Sequence, residues 1–184
     1  MSVKTKLHPI SVEEYLEGEQ RSDIRHEYIS GHVYAMVGAT ARHNLIASHL
    51  HVALGSHLRN GPCRIFQSDM KVRIDDIFYY PDLMVTCGNF DLAALYLTNP
   101  VLIIEILSES TEHIDRREKR LAYQGIESLK EYVLAAQDKM EIEVYRRVPD
   151  GWEIERFGKG DELHLEAVDL KIPLAEVYAG VVGG

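Results

Sequence analysis

The segment Pro100–Leu107 constrains the fold of this chain more than any other. Its sequence, PVLIIEIL, is apolar on both alternate faces, which is typical of a strand in the centre of a sheet with helices on both sides. Glu105 lies inside this apolar run. An unpaired carboxylate there would cost several kcal/mol, so Glu105 must have a partner. The partner is an arginine, solvent at the end of the strand, or a metal ion that Glu105 helps to bind.

The remaining segments predict an α/β fold around this strand. Ser11 and Glu14 have the spacing of a capping box, so a short helix is expected to follow. Strand, helix and strand over 100–136 predict a right-handed crossover between parallel strands. The other predicted elements are a hairpin at 25–29 and 32–37, a helix at 40–58, β-rich runs at 63–66, 70–74 and 78–85, the last interrupted by Pro81-Asp82, a helix from Ser110 or Thr111 to Gln124, a strand at 131–136, and a hairpin at 140–147 and 152–157. The expected architecture is one domain, residues 1–184, with a central mixed sheet flanked by helices and a C-terminal β-hairpin extension.

Composition and charge narrow the partners and the compartment. The net charge of −9 excludes a global positive field that would attract nucleic acid or anionic lipid. Cys63 and Cys87 lack the spacing of a zinc site, which favours reduced thiols in the cytosol. The first residues lack the apolar stretch of a signal peptide, and no run is long enough to span a membrane. We therefore expect a cytoplasmic protein without a membrane partner.

Asp82 is the natural companion of Glu105. It follows Pro81 and precedes Leu83, so it lies at the start or a bulge of a neighbouring strand. A Pro-Asp pair alone is more typical of a turn. Neighbouring strands, however, can bring two carboxylates to one point, and Mg²⁺ binds a few oxygen ligands while keeping several waters. The two residues together predict a metal site of the phosphodiesterase type.

Several spaced motifs resemble one known family. They are RHEYISGHVYAM at 25–36, a helix that opens at His43, YPDLMV at 80–85, VLIIEILSEST at 101–111, DRREKRLAY at 115–123 and EYVL at 131–134. This order of motifs resembles the Uma2-type restriction endonuclease family, a branch of the PD-(D/E)XK nuclease superfamily, over most of the chain. The resemblance implies a restriction-endonuclease-like fold and a Mg²⁺-dependent endonuclease that hydrolyses phosphodiester bonds of DNA.

The same resemblance implies roles for individual residues. Asp82 and Glu105 would coordinate Mg²⁺ or Mn²⁺, with the carbonyl of Ile106 as a third ligand. Glu27 matches the acidic residue near the N-terminus that reaches the same site, directly or through water. From the residues alone, a solvated hairpin position is an equal alternative for Glu27.

One position departs from the superfamily pattern. That pattern has a lysine two residues after the glutamate, where this chain has Leu107. A positive charge is expected near the attacking water or the leaving group, so another residue must supply it, or it is absent. Lys119 on the following helix is the first candidate for the catalytic lysine, and Lys71 is the second. The alternative for Lys119 is an ordinary exposed i,i+4 pair with Asp115.

Other charged residues carry weaker signals. The basic run RREKR at 116–120 could contact phosphates beside a metal site, although a solvated helical face is the commoner meaning. The histidines of the 40–58 helix do not share a face with zinc-site spacing. His43 is more typical of a capping or structural histidine than of a residue that touches substrate. Tyr123 is expected in the core or beside the site.

Three functions are compatible with these observations. The first is the metal-dependent endonuclease, with DNA as partner, RNA as a second possibility, and a homodimer to cut both strands. The second is a degenerate nuclease fold that binds nucleic acid or serves assembly, which Leu107 favours. The third is a metal-free hydrolase of glycosides that uses Glu27, Asp82 and Glu105, but the single Trp makes a sugar-stacking cleft less favoured.

Overall fold

A computed structural model describes residues 9–108 and 112–182. The helices are α1 (Val12–Glu19), α2 (Ala41–Leu58), α3 (Glu112–Ile114), α4 (Arg120–Gln124) and α5 (Leu174–Val177), with a π-helical turn at Asp115–Lys119 and a 3₁₀ turn at Glu166–Val168. The strands are β1 (His26–Ile29), β2 (His32–Ala35), β3 (Cys63–Gln67), β4 (Lys71–Ile74), β5 (Ile77–Tyr79), β6 (Leu83–Cys87), β7 (Tyr96–Leu97), β8 (Pro100–Leu107), β9 (Glu131–Ala136), β10 (Ile142–Val148), β11 (Gly151–Phe157), β12 (Glu162–Leu165) and β13 (Leu170–Pro173). The prediction that a helix starts at Ser110 or Thr111 lies outside the described residues.

The strands form two large sheets and one hairpin. The central sheet has the order β11-β10-β9-β8-β6-β3, and the N-terminal sheet has the order β2-β1-β5-β4-β7. Strands β12 and β13 pair with each other. In the central sheet β8 and β9 are parallel, and the other neighbours are antiparallel. The predicted parallel crossover from β8 to β9 is therefore confirmed.

Both faces of the central sheet are covered, as the apolar sequence of β8 predicts. On one face α2 packs with α5 and the β12–β13 hairpin, through buried residues such as Leu54, Ile104 and Leu163. On the other face α4 and strands of the N-terminal sheet form a second core, which includes Ile103 and Tyr123. Eleven of the described aromatic and aliphatic side chains in this second core are buried. The central mixed sheet flanked by helices is thus confirmed.

Two parts of the fold add to the sequence prediction. The interruption expected at Pro81-Asp82 is confirmed, because Pro81 cannot donate a backbone hydrogen bond, but the two halves of the run belong to different sheets. Strand β5 belongs to the N-terminal sheet and β6 to the central sheet. The predicted C-terminal hairpin is β10–β11, which extends the central sheet by two strands, and β12–β13 follows it without having been predicted.

The capping box predicted at the start of α1 is confirmed, and α2 also begins with a side-chain cap. Ser11 Oγ accepts a hydrogen bond from Glu14 N, and Glu14 Oε2 accepts one from Ser11 N, which completes the capping box of α1. Thr40 caps α2 by accepting a hydrogen bond from His43 N at 3.2 Å. In both helices the side chain satisfies a backbone donor that the helix itself cannot.

Cys63 and Cys87 form a disulfide between β3 and β6, with their Cα atoms 3.9 Å apart. The prediction of reduced thiols is wrong for this pair. The two residues are 24 positions apart in the sequence, and only the register of β3 with β6 brings them opposite each other. Disulfides are typical of oxidising compartments, so the cytoplasmic location stays a prediction.

Membrane insertion through a helix has no support in the structure. None of the helices in residues 9–108 and 112–182 combines the length and the apolarity that a bilayer span requires.

Gly31, in the turn between β1 and β2, packs closely against Pro9, and this contact can be tested. Gly31 and Gly88 both have φ of +89°, but a Cβ on Gly31 would lie 2.5 Å from Pro9 Cβ, whereas a Cβ on Gly88 meets nothing within 4 Å. We expect Gly88→Ala to lower the free energy of unfolding by about 1–2 kcal/mol through backbone strain alone. Gly31→Ala should lower it by roughly 1–3 kcal/mol more, because the clash adds to the strain. Urea denaturation of both variants measures this difference, and equal losses would contradict it.

Candidate active site

Asp82 and Glu105 meet where β6 and β8 begin to pair. The two strands are antiparallel with Leu83 opposite Ile104, so the next residues along each strand, Asp82 and Glu105, are brought side by side. Asp82 N donates to Glu105 Oε2 at 3.2 Å, and Ile106 N donates to Asp82 Oδ2 at 2.7 Å. These reciprocal bonds hold each carboxylate on the backbone of the other strand.

Lys119 supplies the positive charge beside this pair. Its Nζ lies 3.2 Å from Glu105 Oε1, 2.9 Å from Glu27 Oε1 and 3.5 Å from Asp115 Oδ1. The lysine side chain is 9% exposed. The ammonium therefore joins three carboxylates that come from β1, β8 and the π-helical turn.

The π-helical turn changes the meaning of the Asp115 and Lys119 spacing. The sequence left open an exposed i,i+4 pair, but both side chains are buried. π-Helical turns are rare and occur frequently at functional sites. Here the turn ends at Lys119, and the following α4 continues the chain across the face of the central sheet. The prediction that Lys119 reaches Glu105 is confirmed in its geometry, and its catalytic role stays a prediction.

Tyrosines complete the surroundings of Glu105 and Lys119. Tyr123, one turn after Lys119, donates its hydroxyl to Glu105 Oε1 at 2.8 Å. The ammonium of Lys119 lies 5.3 Å from the centre of the Tyr79 ring, a distance at which a cation is attracted to the aromatic face. Tyr123 is fully buried, so it is both a core residue and a hydrogen-bond donor to the site.

Glu27 reaches the same cluster from β1. Besides its ion pair with Lys119, its Oε1 accepts a hydrogen bond from Tyr80 N at 3.4 Å. Its side chain is 15% exposed, so the alternative of a solvated hairpin residue is wrong. In this arrangement Glu27 contacts the lysine and the segment that precedes Asp82; its role as a metal ligand stays a prediction.

The buried charges shift one another's protonation. Burial raises the pKa of Glu105 well above its usual range; Lys119 opposes this rise, and the neighbouring carboxylates of Asp82, Asp115 and Glu27 add to it. Burial by itself lowers the pKa of Lys119, but Glu105, Glu27 and Asp115 hold that pKa well above its usual range. Lys119 is therefore positively charged at neutral pH, and its charge offsets those of the surrounding carboxylates.

The cluster opens onto a cleft of about 1020 Å³. The cleft is lined by the segment between β2 and α2, the end of β8, the π-helical turn and the residues that follow β9. The lining side chains that carry charge or donate hydrogen bonds include Arg42, His43, Tyr80, Asp82, Glu105, Asp115, Arg116, Lys119 and Lys139. Asp82, Glu105 and Lys119 thus lie where a ligand can reach them.

Lys71, the second candidate for the displaced lysine, lies in a neighbouring network. Its Nζ donates to the hydroxyl of Tyr80 at 3.3 Å, and that hydroxyl donates to Glu19 Oε1 at 2.9 Å. Burial lowers the pKa of Lys71. Of the two lysines, Lys119 is the one that contacts Glu105.

The basic run at 116–120 is largely engaged with the protein itself. Arg116 is bound by Glu112 and Glu143, and Arg120 lies over the ring of Tyr145. Arg117 is exposed. The run is therefore not a free basic face, although Arg116 lines the cleft.

Sequence reasoning missed the contact between His43 and Asp82. His43 Nε2 lies 3.1 Å from Asp82 Oδ2, so the residue expected to be a capping or structural histidine touches the candidate site. The signal in the sequence was its place at the N-terminus of a long helix, but no periodicity shows which strand end that helix turn meets.

The described residues hold no group of three or more His, Cys, Asp or Glu side chains with the geometry of a metal site. The carboxylates of Asp82 and Glu105 lie together at the cleft, and Ile106, the residue after Glu105, also lines it. This donor set is small, and it suits a cation that keeps most of its water shell.

Comparison with known proteins identifies the family. The model of the Uma2 family, described as "Putative restriction endonuclease", matches residues 12–175. This match covers most of the chain and includes every residue of the cluster. The chain belongs to the Uma2 family.

Individual relatives agree with this assignment. The uncharacterized protein slr1290 of Synechocystis sp. is 36% identical over 176 residues, which cover 94% of this chain and 93% of that protein. A second uncharacterized protein of the same organism, sll1609, is 33% identical over 146 residues, with 77% and 82% coverage. A crystal structure described as a putative nuclease belonging to DUF820, from Anabaena variabilis, superposes with a TM-score of 0.77 at 20% identity over 93% of this chain and 98% of that chain. The predicted fold is confirmed by this superposition.

Removing the ammonium of Lys119 tests the electrostatics of the cluster. Lys119→Met leaves Glu27 and Glu105 without their shared cation, and we expect the free energy of unfolding at neutral pH to fall by about 3–5 kcal/mol. The pKa of Glu105 then rises further, so the folded protein keeps a proton that the unfolded chain releases above about pH 4.3. The wild type loses its Glu105 proton at a lower pH than the variant does, so the stability deficit of the variant should grow once the pH exceeds the raised pKa of Glu105 in the wild type.

Urea denaturation followed by circular dichroism between about pH 4 and about pH 8 measures this deficit. The matched control is Lys139→Met, because Lys139 is 57% exposed and pairs with Glu141 at the surface. The control should follow the wild type at every pH. A deficit of Lys119→Met that does not change with pH would contradict the coupling between Lys119 and Glu105.

Proposed function

We propose that this protein is a metal-dependent endonuclease that hydrolyses phosphodiester bonds of DNA. The observation that carries the proposal is the meeting of Asp82, Glu105 and Lys119 at one cleft, although Lys119 comes from a helix and the superfamily pattern has it on the strand. Membership of the Uma2 family supports the nuclease class. The proposal extends this class to a metal requirement and a DNA substrate.

The residues at the cleft fit Mg²⁺ or Mn²⁺. Mg²⁺ binds through one or two carboxylates together with water and substrate oxygens, and Asp82 and Glu105 provide such a pair. In this proposal the Ile106 carbonyl is a third ligand and Glu27 acts directly or through water. When bound, the ion would polarise the scissile phosphate and lower the pKa of the attacking water.

Lys119 has the features of the catalytic lysine. Its ammonium is buried, is held by Glu27 and Glu105, and faces the cleft, so it can stabilise charge that develops on the phosphate or orient the attacking water. Leu107, which occupies the pattern's lysine position, is buried against the same core as Tyr123. The proposal therefore assigns to Lys119 the role that a lysine at position 107 would have.

The walls of the cleft offer cations for a nucleic-acid backbone. Arg42, Arg116 and Lys139 line the cleft. Contacts from such residues to phosphates supply most of the sequence-independent affinity for DNA. They act locally and so are compatible with a net charge of −9. RNA as an alternative substrate and a homodimeric assembly stay predictions.

Metal binding and cleavage can be measured on the same samples. We expect calorimetry to detect Mn²⁺ binding by the wild type, and we expect a plasmid-nicking assay to give cleavage that a chelator abolishes. Asp82→Asn and Glu105→Gln keep the shape of each side chain but remove its charge, so both should lose Mn²⁺ binding and cleavage. Lys119→Met should bind Mn²⁺ and lose roughly 100-fold or more in cleavage rate.

Glu118→Gln is the matched control, because Glu118 is an exposed glutamate in the same π-helical turn as Lys119. It should bind Mn²⁺ and nick plasmid as the wild type does. Mn²⁺ binding without cleavage of DNA or RNA would favour the degenerate binding module instead. Activity that persists in chelator would favour a metal-free hydrolase, and no Mn²⁺ binding at all would overturn the metal centre.

A further inference from the structure

His43 contacts the carboxylate of Asp82. Its Nε2 lies 3.1 Å from Asp82 Oδ2, the same oxygen that accepts from Ile106 N at 2.7 Å. Asp82 Oδ2 thus receives a backbone bond and an imidazole contact together. The imidazole is 13% exposed and the carboxylate 18% exposed, so little water competes for this contact.

The second nitrogen of His43 shows which way the hydrogen bond runs. Nδ1 is buried, and within residues 9–108 and 112–182 it has no hydrogen-bond partner. A proton on Nδ1 would be a buried donor without an acceptor, which is more costly than a bare nitrogen. The proton therefore belongs on Nε2, where it is donated to Asp82 Oδ2.

The position of His43 is fixed through the N-cap of α2. Its backbone N donates to Thr40 Oγ1, and Thr40 Oγ1 donates to Gln137 Oε1 at 2.7 Å, just beyond β9. This chain of contacts ties the start of α2 to the sheet edge that carries the candidate site. A side chain whose backbone is held in this way can orient a neighbouring side chain.

We propose that His43 is a positioning residue for Asp82: its Nε2–H and the backbone N–H of Ile106 hold Oδ2 and leave the other carboxylate oxygen for the metal ion. This inference rests on the proposed metal site and adds a residue to it. Residues that hold a metal ligand in place change metal affinity by about 10–100-fold when they are removed. His43 would act through Asp82 and need not touch the substrate.

The test compares two replacements of His43 by Mn²⁺ calorimetry. His43→Leu removes the donor, and we expect the dissociation constant for Mn²⁺ to rise by about 10–100-fold. His43→Gln places an amide N–H near the position of Nε2, and we expect it to restore most of the wild-type affinity. His57→Leu is the matched control, because His57 lies on the same helix and its Nε2 contacts the carbonyl of Val168, away from the cleft.

Each outcome decides between the two proposals. If the wild type and His43→Leu bind Mn²⁺ equally tightly, the role of His43 is overturned and the metal site stays intact. The same holds if His43→Gln binds Mn²⁺ as weakly as His43→Leu does. A wild type that binds no Mn²⁺ overturns the metal site and the positioning role with it. Weak binding by His57→Leu would show that the effect is structural and would also overturn the role.

A spectroscopic measurement on the unmodified protein does not depend on how the variants fold. Nitrogen-15 NMR of the histidine rings distinguishes the two neutral tautomers. We expect His43 to carry its proton on Nε2. A His43 ring with a proton on Nδ1 and a bare Nε2 cannot donate to Asp82 and would overturn the inference.

Discussion

Glu105 is an ionisable side chain on a strand that is covered on both faces, and its charge has to be balanced within the protein. Lys119, the hydroxyl of Tyr123 and the backbone N–H of Asp82 together provide that balance. Each of these groups comes from a different element, so the strand pairing, the π-helical turn and α4 must all be in place for Glu105 to be tolerated. The cost of an uncompensated buried carboxylate makes this cluster a constraint on the whole domain.

The site lies where the chain passes from one sheet to the other. Strand β5 of the N-terminal sheet ends at Tyr79. The next two residues, Tyr80 and Pro81, lie outside both sheets, and Asp82 directly precedes β6 of the central sheet. The same break exposes Tyr80 N to Glu27 and Asp82 N to Glu105. Pro81 divides one apolar run into two strands. The residues on either side of it, Tyr80 and Asp82, therefore have backbone N–H groups free to bind Glu27 and Glu105.

The position of Lys119 beside Glu105 has a simple geometric explanation. Residues 103, 105 and 107 of β8 alternate with their neighbours, so Glu105 and Leu107 point to the same face of the sheet. Leu107 fills the apolar core there, and α4 crosses that face with Tyr123 beside it. Lys119, one turn earlier, delivers an ammonium over Glu105 from the helix side. The position of the charge relative to Glu105 is what the proposed chemistry requires, and either element can provide it.

Elements with local signals were predictable from the amino-acid sequence. The apolar pattern of 100–107, the capping box at Ser11 and the apolar periodicity of 40–58 predicted β8, α1 and α2, because each signal lies within one strand or one helix. The motif order also predicted Asp82, Glu105 and Lys119 as neighbours. That Pro81 separates two sheets, that Cys63 faces Cys87 and that His43 touches Asp82 became known only from the folded chain. The two contacts join residues 24 and 39 positions apart, and the strand register and helix docking that bring such residues together leave no periodic trace in the sequence.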